Sequence, residues 1–333
     1  MQAILTVTIP FFALVLLGYL AAQRRWMPES AIPGLNAYVL YYALPCMLFR
    51  FGSSMPFARL IDPLLIALYT TCALLMIAIT IAVTLRRGSS RAGVDLKDAA
   101  FGALVAAFPN AGFMGVPLLV ALLGANAAGP VIGAILVDLI LTSTLCLALA
   151  QASGHRSVGD DERSMLAAAV LSLRGALTNP LPWAIVIGAL FAALDRELPG
   201  PIAEIVRMLG ESAAPVALFT IGAVLSRAGR HGHTRTAPRH YLPVALLKLV
   251  VHPALVFGIG AGAASLGAPI SSFGLMVLTL VAALPSASNV SVLAERYGAD
   301  NGRVTRIIMA STVLAFASFS VLAWLFGVGT PVK

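Results

Sequence analysis

The chain has 333 residues, of which 59% are hydrophobic and only 11% are charged, and its formal net charge is +8. Soluble proteins carry roughly 25% charged residues, so this composition indicates a polytopic membrane protein. The basic residues stand in short stretches between long apolar segments, which is typical of the cytoplasmic loops of membrane proteins. Nucleic acid is therefore excluded as a partner.

Ten apolar segments follow one another along the chain, each close to the roughly 20 residues that a helix needs to cross a bilayer. They are Ala3–Gln23, Pro33–Arg50, Leu60–Leu85, Ala99–Leu123, Gly129–Ala150, Ala176–Leu194, Ile202–Leu225, Tyr241–Leu266, Ser272–Leu293 and Val304–Val328. The first stretch lacks a basic leader region and is interpreted as a retained span, not a signal peptide. The sequence predicts an all-α membrane protein with ten transmembrane helices.

Two of these segments contain helix-breaking residues at their centres. The fourth carries the run A-A-F-P-N-A-G-F-M-G-V-P-L from Ala106 to Leu118, and the ninth carries A-A-L-P-S-A-S-N-V-S-V from Ala282 to Val292. Proline removes a backbone N–H and crowds the carbonyl four residues earlier, so a helix through such a run is interrupted. Interrupted helices at matching places in two halves of a chain point to a transporter binding site.

The two halves of the chain look like copies of one another. At an offset of 170 residues the matched pairs are Pro10 with Pro180, Gly18 with Gly188, Pro45 with Pro215, Phe49 with Phe219 and Gly52 with Gly222. Ser143 and Thr144 match Ser311 and Thr312 at a slightly shorter offset. Because each half holds five segments, an odd number, the second copy must enter the membrane from the opposite side. We predict an inverted repeat, with a first five-helix unit at 1–151, a cytoplasmic connector at 152–174 and a second five-helix unit at 175–333.

Charge sets the expected orientation. Most of the 22 Lys and Arg residues stand in loops that follow odd-numbered segments, so those loops are expected in the cytoplasm and both termini on the other side of the cell inner membrane. Cys46, Cys72 and Cys146 lie in apolar runs and are interpreted as small core residues, without a disulfide or a metal site. The chain has no phosphate-binding loop, zinc-ligand spacing or nucleophile elbow, so we predict no catalytic residue, no cofactor and no enzyme activity.

Polar residues at the breaks are the candidate substrate ligands. Asn110 directly follows Pro109, and Asn289 lies four residues after Pro285. The freed N–H groups of a half-helix suit a carboxylate, so we predict that both amides line a substrate cavity between the two prolines. The alternative is that each asparagine only caps the neighbouring half-helix. The hydroxyl groups nearby, which either add donors or pack as small residues, belong to Ser286 and Ser288.

Ionisable residues inside apolar segments are costly and usually functional. Lys248 and His252 share one face of the eighth segment, and Asp138 lies in the fifth. Lys248 is interpreted as a group for anion binding or for a proton-coupled step, and the alternative is a buried structural ion pair with Asp138. Ion coupling is assigned to Asp138, Lys248 and His252, although a packing role before Pro253 is the simpler interpretation of the histidine.

Three runs together resemble the auxin efflux carrier family. They are P-N-x-G-x-x-G-x-P from Pro109, L-K-L-x-x-x-P around Lys248, and S-T-V-L at Ser311 to Leu314. That family includes plant PIN-FORMED carriers and bacterial members described as malonate or other carboxylate permeases, and the resemblance covers essentially the whole chain. It implies a scaffold domain and a transport domain, broken fourth and ninth helices that cross at Pro109, Asn110 and Pro285, and an elevator-like movement that carries an anion.

The expected function is secondary active transport of a small organic anion, with malonate-like dicarboxylates as the leading class. Two modes of energy coupling stay open, namely coupling to protons through Asp138 or Lys248 and uniport driven by the membrane potential. A sodium-coupled symporter of the bile-acid type is one alternative, and a non-transporting membrane sensor is another. The ninth segment has no acidic residue near its break, the nearest being Glu295, which weakens the case for sodium. Small residues in the second and seventh segments are compatible with a homodimer.

Overall fold

The computed structural model describes residues 2–54, 61–87, 94–152, 178–231 and 236–328, and most of the predicted connector lies outside them. Within these ranges the chain folds into helices that are joined by short loops. One isolated antiparallel bridge pairs two of the segments between helices. The helices are α1 (Gln2–Gln23), α2 (Ala31–Ser53), α3 (Pro63–Arg87), α4 (Leu96–Ala107), α5 (Ala111–Leu123), α6 (Ala125–Ala152), α7 (Pro180–Ala193), α8 (Gly200–His231), α9 (Pro238–Ser265), α10 (Ser272–Ala282), α11 (Val290–Arg296) and α12 (Asn301–Leu325).

Seven of the described helices are long and apolar enough to cross a membrane, namely α1, α2, α3, α6, α8, α9 and α12. Helices α5, α7 and α10 are apolar but shorter. The fourth apolar segment of the sequence covers most of α4 and all of α5, and the ninth covers all of α10 and the first part of α11. The chain is thus a helical multi-pass membrane protein, while the count of ten spans and their inverted arrangement stay predictions.

Wide helical turns accommodate several of the prolines. Three π-turns each end two residues before a proline, and they are Val39–Ala43 before Pro45, Ala111–Gly115 before Pro117 and Leu247–Val251 before Pro253. A turn with i to i+5 bonding loosens the helix where proline removes a donor and adds bulk. Helix α5 therefore runs through Pro117, and the interruption of the fourth segment is confined to residues 108–110.

Helices α4 and α10 form the centre of the molecule. Residues 99–111 and 277–288 are buried without exception by other parts of the protein. Both interruptions fall inside these two stretches, so the irregular backbone is surrounded by protein and is not exposed to lipid. This is the condition under which a broken helix is tolerated at membrane depth.

Glycines let α1 approach α8, and α2 approach α7, at backbone distance. A Cβ atom added at Gly18 would lie 1.9 Å from the carbonyl oxygen of Phe219, and one at Gly188 would lie 2.4 Å from that of Phe49. Gly18 matches Gly188, and Phe49 matches Phe219, at the offset of 170 residues. The repeat offset therefore relates the two contacts. In one, the first half supplies the glycine and the second half supplies the carbonyl oxygen, and in the other these contributions are exchanged.

A second pair of glycine contacts obeys the same relation. A Cβ atom at Gly222 would lie 1.9 Å from the carbonyl oxygen of Val15, and one at Gly52 would lie 2.8 Å from that of Ile185. Each residue of the first contact again has its counterpart 170 positions away in the second. Small residues at such crossings allow the backbone contact that stabilises helix pairs in lipid.

The buried guanidinium of Arg303 joins four helix ends at one side of the molecule. Its Nε donates to the His240 carbonyl at 2.9 Å, Nη1 to the Asp98 carbonyl at 3.0 Å and Nη2 to the Thr84 hydroxyl at 3.4 Å. The Asp98 carboxylate in turn accepts the backbone N–H of Asp300 at 2.8 Å. These bonds tie the ends of α3, α4, α9 and α12 together.

Candidate substrate site at the paired helix breaks

The backbones that follow α4 and α10 pair with each other. The N–H of Asn110 donates to the Pro285 carbonyl at 2.8 Å, and the N–H of Ala287 donates to the Phe108 carbonyl at 3.0 Å. Pro109 and Ser286 thereby form an isolated antiparallel bridge. Backbone groups that the prolines withdraw from each helix are satisfied by the opposite interruption, so the two breaks hold each other in place.

Asn110 carries an amide that the chain itself does not satisfy. The residue is 3% exposed, its Oδ1 is buried without a hydrogen-bond partner, and its Nδ2 group donates no hydrogen bond to the described residues either. The side chain makes no cap bond to the helix that follows, so the capping interpretation does not hold for its geometry. Buried polar groups in folded proteins are almost always bonded, and an unpaired amide at a helix break is therefore a candidate ligand group.

The start of α5 offers free donors beside open space. The N–H groups of Gly112 and Phe113 have no acceptor in the described part of the chain, and both residues are partly exposed. A Cβ atom added at Gly112 would meet no atom within 4 Å. The first turn of a helix carries partial positive charge, so this opening suits a carboxylate that also reaches Asn110.

The second break contributes differently from the first. Ser286 is buried, and its backbone N–H donates to the Ser311 hydroxyl at 3.2 Å. Ser288 is buried too, whereas Asn289 is exposed at the start of α11 and makes no side-chain cap bond. The structure brings Pro109, Asn110, Pro285 and Ser286 together at the bridge, whereas Asn289 is exposed.

Lys248 lies behind the second break, on a π-turn of α9. Its side chain is fully buried, and Nζ donates to the Ala282 carbonyl at 2.8 Å and lies 3.1 Å from Nδ1 of His252. Ala282 is the last residue of α10, whose terminal carbonyls carry partial negative charge. The ammonium group therefore caps this half-helix directly against the break.

Asp138 begins the π-turn of α6 and is also fully buried. Its carboxylate accepts from the Tyr69 hydroxyl at 3.0 Å and from the Thr142 hydroxyl at 3.2 Å. The expected ion pair with Lys248 is not formed as a direct contact, since the Lys248 Nζ donates to the Ala282 carbonyl at the end of α10. The Tyr69 ring lies 5.9 Å from that of His252 and connects the two groups.

Three side chains that hydrogen-bond to the predicted site residues were not predicted from sequence to have a role in the site. Tyr69 and Thr142 hold the Asp138 carboxylate, and Ser311 holds the second break. Thr142 stands four residues after Asp138, a spacing that places both on one helix face. Ser311 belongs to the matched Ser-Thr pairs of the two halves, so a signal for it existed. Tyr69 is one aromatic residue among many in an apolar segment and gives no such signal.

Comparison with known proteins adds the family and its relatives. Residues 3–324 match a family described as "Membrane transport protein". A protein of Rhizobium meliloti named "Putative malonate transporter" is 29% identical over 331 residues, which are 99% of this chain and 98% of that one. An uncharacterized transporter of Escherichia coli is 24% identical over 96% of this chain and 95% of its own. "Auxin efflux carrier component 8" of Arabidopsis thaliana is 22% identical over 88% of this chain and 89% of its own.

Proposed function

We propose that the chain, which belongs to this family of membrane transport proteins, is a secondary active transporter of a small organic anion. The family match confirms the resemblance to auxin efflux carriers and the prediction that the protein is a transporter and not an enzyme. Malonate-like dicarboxylates are the leading substrate class. The name of the Rhizobium meliloti relative, which aligns with 99% of this chain, supports that choice.

The unpaired amide of Asn110 carries the proposal. It stands at the positive end of α5, next to the free N–H groups of Gly112 and Phe113 and the open space beside Gly112. A carboxylate in that space accepts hydrogen bonds from the backbone donors and from the Nδ2 group of Asn110, and it gains from the partial charge of the helix end. The protonated form of Lys248, behind the second break, would favour an anion over a neutral solute.

An elevator-type movement around an inverted repeat is the proposed mechanism. The glycine contacts of α1 with α8 and of α2 with α7 support a scaffold of these four helices, built with the same offset in both halves. The bonds of Arg303 support a second body that contains α3, α4, α9 and α12. The bridge between the breaks supports a crossing of the fourth and ninth segments within that second body.

Coupling and orientation follow the sequence predictions. Protons are the proposed coupling ion, through the buried group of Asp138, Lys248 and His252, whose members contact one another or share Tyr69. The proposed location is the inner membrane of the cell, with both termini on the non-cytoplasmic side. A homodimer through the second and seventh segments is the proposed assembly, supported by their small residues.

Uptake into proteoliposomes tests the proposed function. Purified protein is reconstituted, and uptake of labelled malonate is measured while pH, sodium and potential gradients are varied separately. Malonate uptake that follows the proton gradient and ignores sodium is the expected result. A strict need for sodium would favour the bile-acid type of symporter, and binding of carboxylates without flux would favour a sensor.

Asn110→Ala tests the site within the same assay. We expect a loss of about tenfold or more in Vmax/KM, since removal of a hydrogen bond to a charged group costs roughly 1.5–3 kcal/mol. Asn126→Ala, which changes an exposed asparagine in the first turn of α6, is the matched control, and we expect it to transport at the wild-type rate. Wild-type transport of every tested carboxylate by Asn110→Ala would show that the break is not the substrate site.

A further inference from the structure

One N–H group of the second break is satisfied by a side chain from a third element. On either side of it, the Pro285 carbonyl and the Ala287 N–H point to the first break. Neighbouring groups along an extended backbone point in opposite directions, so the N–H of Ser286 faces away from the first break. There it donates to the hydroxyl of Ser311 on α12 at 3.2 Å.

Three contacts hold the Ser311 hydroxyl in this position. Its Oγ lies 3.2 Å from the Ser286 Oγ and 3.0 Å from the Ile308 carbonyl, and it accepts the Ser286 N–H as well. The single proton of the hydroxyl serves one of the two oxygens, while a lone pair accepts the N–H in either case. Ser311 is 0% exposed and Ser286 is 1% exposed, so no bulk water can replace the bond.

We propose that Ser311 is a positioning residue for the substrate site, an inference that rests on the proposed function. The hydroxyl fixes the second break at Ser286, and the bridge passes that position on to Pro109 and Asn110. Without the hydroxyl, the Ser286 N–H is left unpaired in a buried place, and the break shifts to find another acceptor. The amide of Asn110 then no longer meets the substrate in one fixed arrangement.

The chain offers two matched controls for this hydroxyl. Thr312, the next residue, donates only to the Ile308 carbonyl of its own helix, at 2.8 Å. Ser143, the counterpart of Ser311 in the first half, donates only to the Leu139 carbonyl of its own helix, at 2.6 Å. Both bonds are internal to a helix, so removing either hydroxyl leaves the hydrogen bonds of the two breaks unchanged.

The experiment compares Ser311→Ala with Ser143→Ala and Thr312→Val in full-length protein. Malonate uptake gives KM and Vmax, and hydrogen exchange measured by mass spectrometry follows the peptide that contains residues 286–290. For Ser311→Ala we expect about tenfold faster exchange in that peptide and a rise of about tenfold in KM, as loss of one buried hydrogen bond predicts. Ser311→Thr, which keeps the hydroxyl, restores the slow exchange, and the two controls resemble the unaltered protein in both readouts.

The two readouts separate the possible failures. Exchange and KM in Ser311→Ala that equal those of Ser143→Ala would overturn the positioning role. Faster exchange with an unchanged KM would also overturn it, because the hydroxyl would then only stabilise the fold. If the unaltered protein carries no carboxylate, the proposed function fails, and the exchange of residues 286–290 in Ser311→Ala against the controls still decides whether the hydroxyl fixes the break.

Discussion

Lys248 shows why a charged residue is retained in the centre of an apolar protein. Taking an ammonium group out of water costs several kcal/mol, and the bond to the Ala282 carbonyl at the negative end of α10 acts against that cost. The two interpretations of Lys248 from sequence, anion binding and structural pairing, are therefore not exclusive. The same ammonium group stabilises a half-helix and places positive charge behind the break.

A double-mutant cycle measures how strongly Lys248 depends on Asp138. We expect Lys248→Met to destabilise the protein by about 2–4 kcal/mol, because it leaves the Ala282 carbonyl and the Asp138 charge without their cationic neighbour. Asp138→Asn in the same chain should recover about 1 kcal/mol or more of that loss. Thermal unfolding of the four proteins in detergent gives the coupling. Effects that simply add would show that the two charges do not interact.

Some site residues could be predicted from sequence and others could not, for a physical reason. Asn110 and Ser286 stand next to prolines within long apolar segments, so their role depends on local chemistry that the sequence displays. The hydroxyl of Tyr69 reaches Asp138 only because particular faces of α3 and α6 meet. Which faces meet is decided by packing across the whole molecule, and one sequence without its fold does not reveal it.

Close helix crossings at glycine are the main feature at the scale of elements. The backbones of α1 and α8 touch at Gly18 and Gly222, where even one methyl group would overlap a carbonyl oxygen. Association of helices in lipid has little hydrophobic driving force and depends on such contact. The crossing therefore tolerates no added side chain at these positions.

Gly18→Ala tests the crossing directly. Because the added Cβ would lie 1.9 Å from the Phe219 carbonyl oxygen, the helices must separate, and we expect a loss of about 2 kcal/mol or more in stability. Gly258→Ala in α9 is the control, since its Cβ would meet nothing within 4 Å. Alanine favours the helix by up to about 1 kcal/mol there. Equal melting temperatures for the two variants in detergent would contradict the crossing geometry.

The sequence predicts which helices are interrupted, but it does not predict the backbone structure at the interruptions. Pro109 marks the break of the fourth segment correctly, because proline cannot donate within a helix. Pro117 has the same chemistry but stands inside α5, where a π-turn precedes it. The bridge between the breaks also depends on register across two distant segments, which local residue chemistry does not specify.

Charge is distributed unevenly over the whole molecule, and this asymmetry predicts its orientation. Basic residues concentrate in the loops after α1, α3 and α8, whereas the loop between α7 and α8 holds Asp195, Arg196 and Glu197. Positively charged loops are retained in the cytoplasm during insertion. The loop between α7 and α8 should therefore face outward, on the same side as both termini.

Single cysteines provide the test of this orientation. In a chain whose three cysteines are replaced by alanine, Glu197→Cys and Arg24→Cys each place one thiol at an exposed loop position. We expect a membrane-impermeant maleimide to label Glu197→Cys in right-side-out vesicles and Arg24→Cys in inverted vesicles. The physical reason is the excess of Lys and Arg on the Arg24 side, since moving those charges across the bilayer is unfavourable. Labelling of Arg24→Cys in right-side-out vesicles would show that the orientation is the reverse of the predicted one. An anion from outside would then reach Asn110 from the opposite face of the protein.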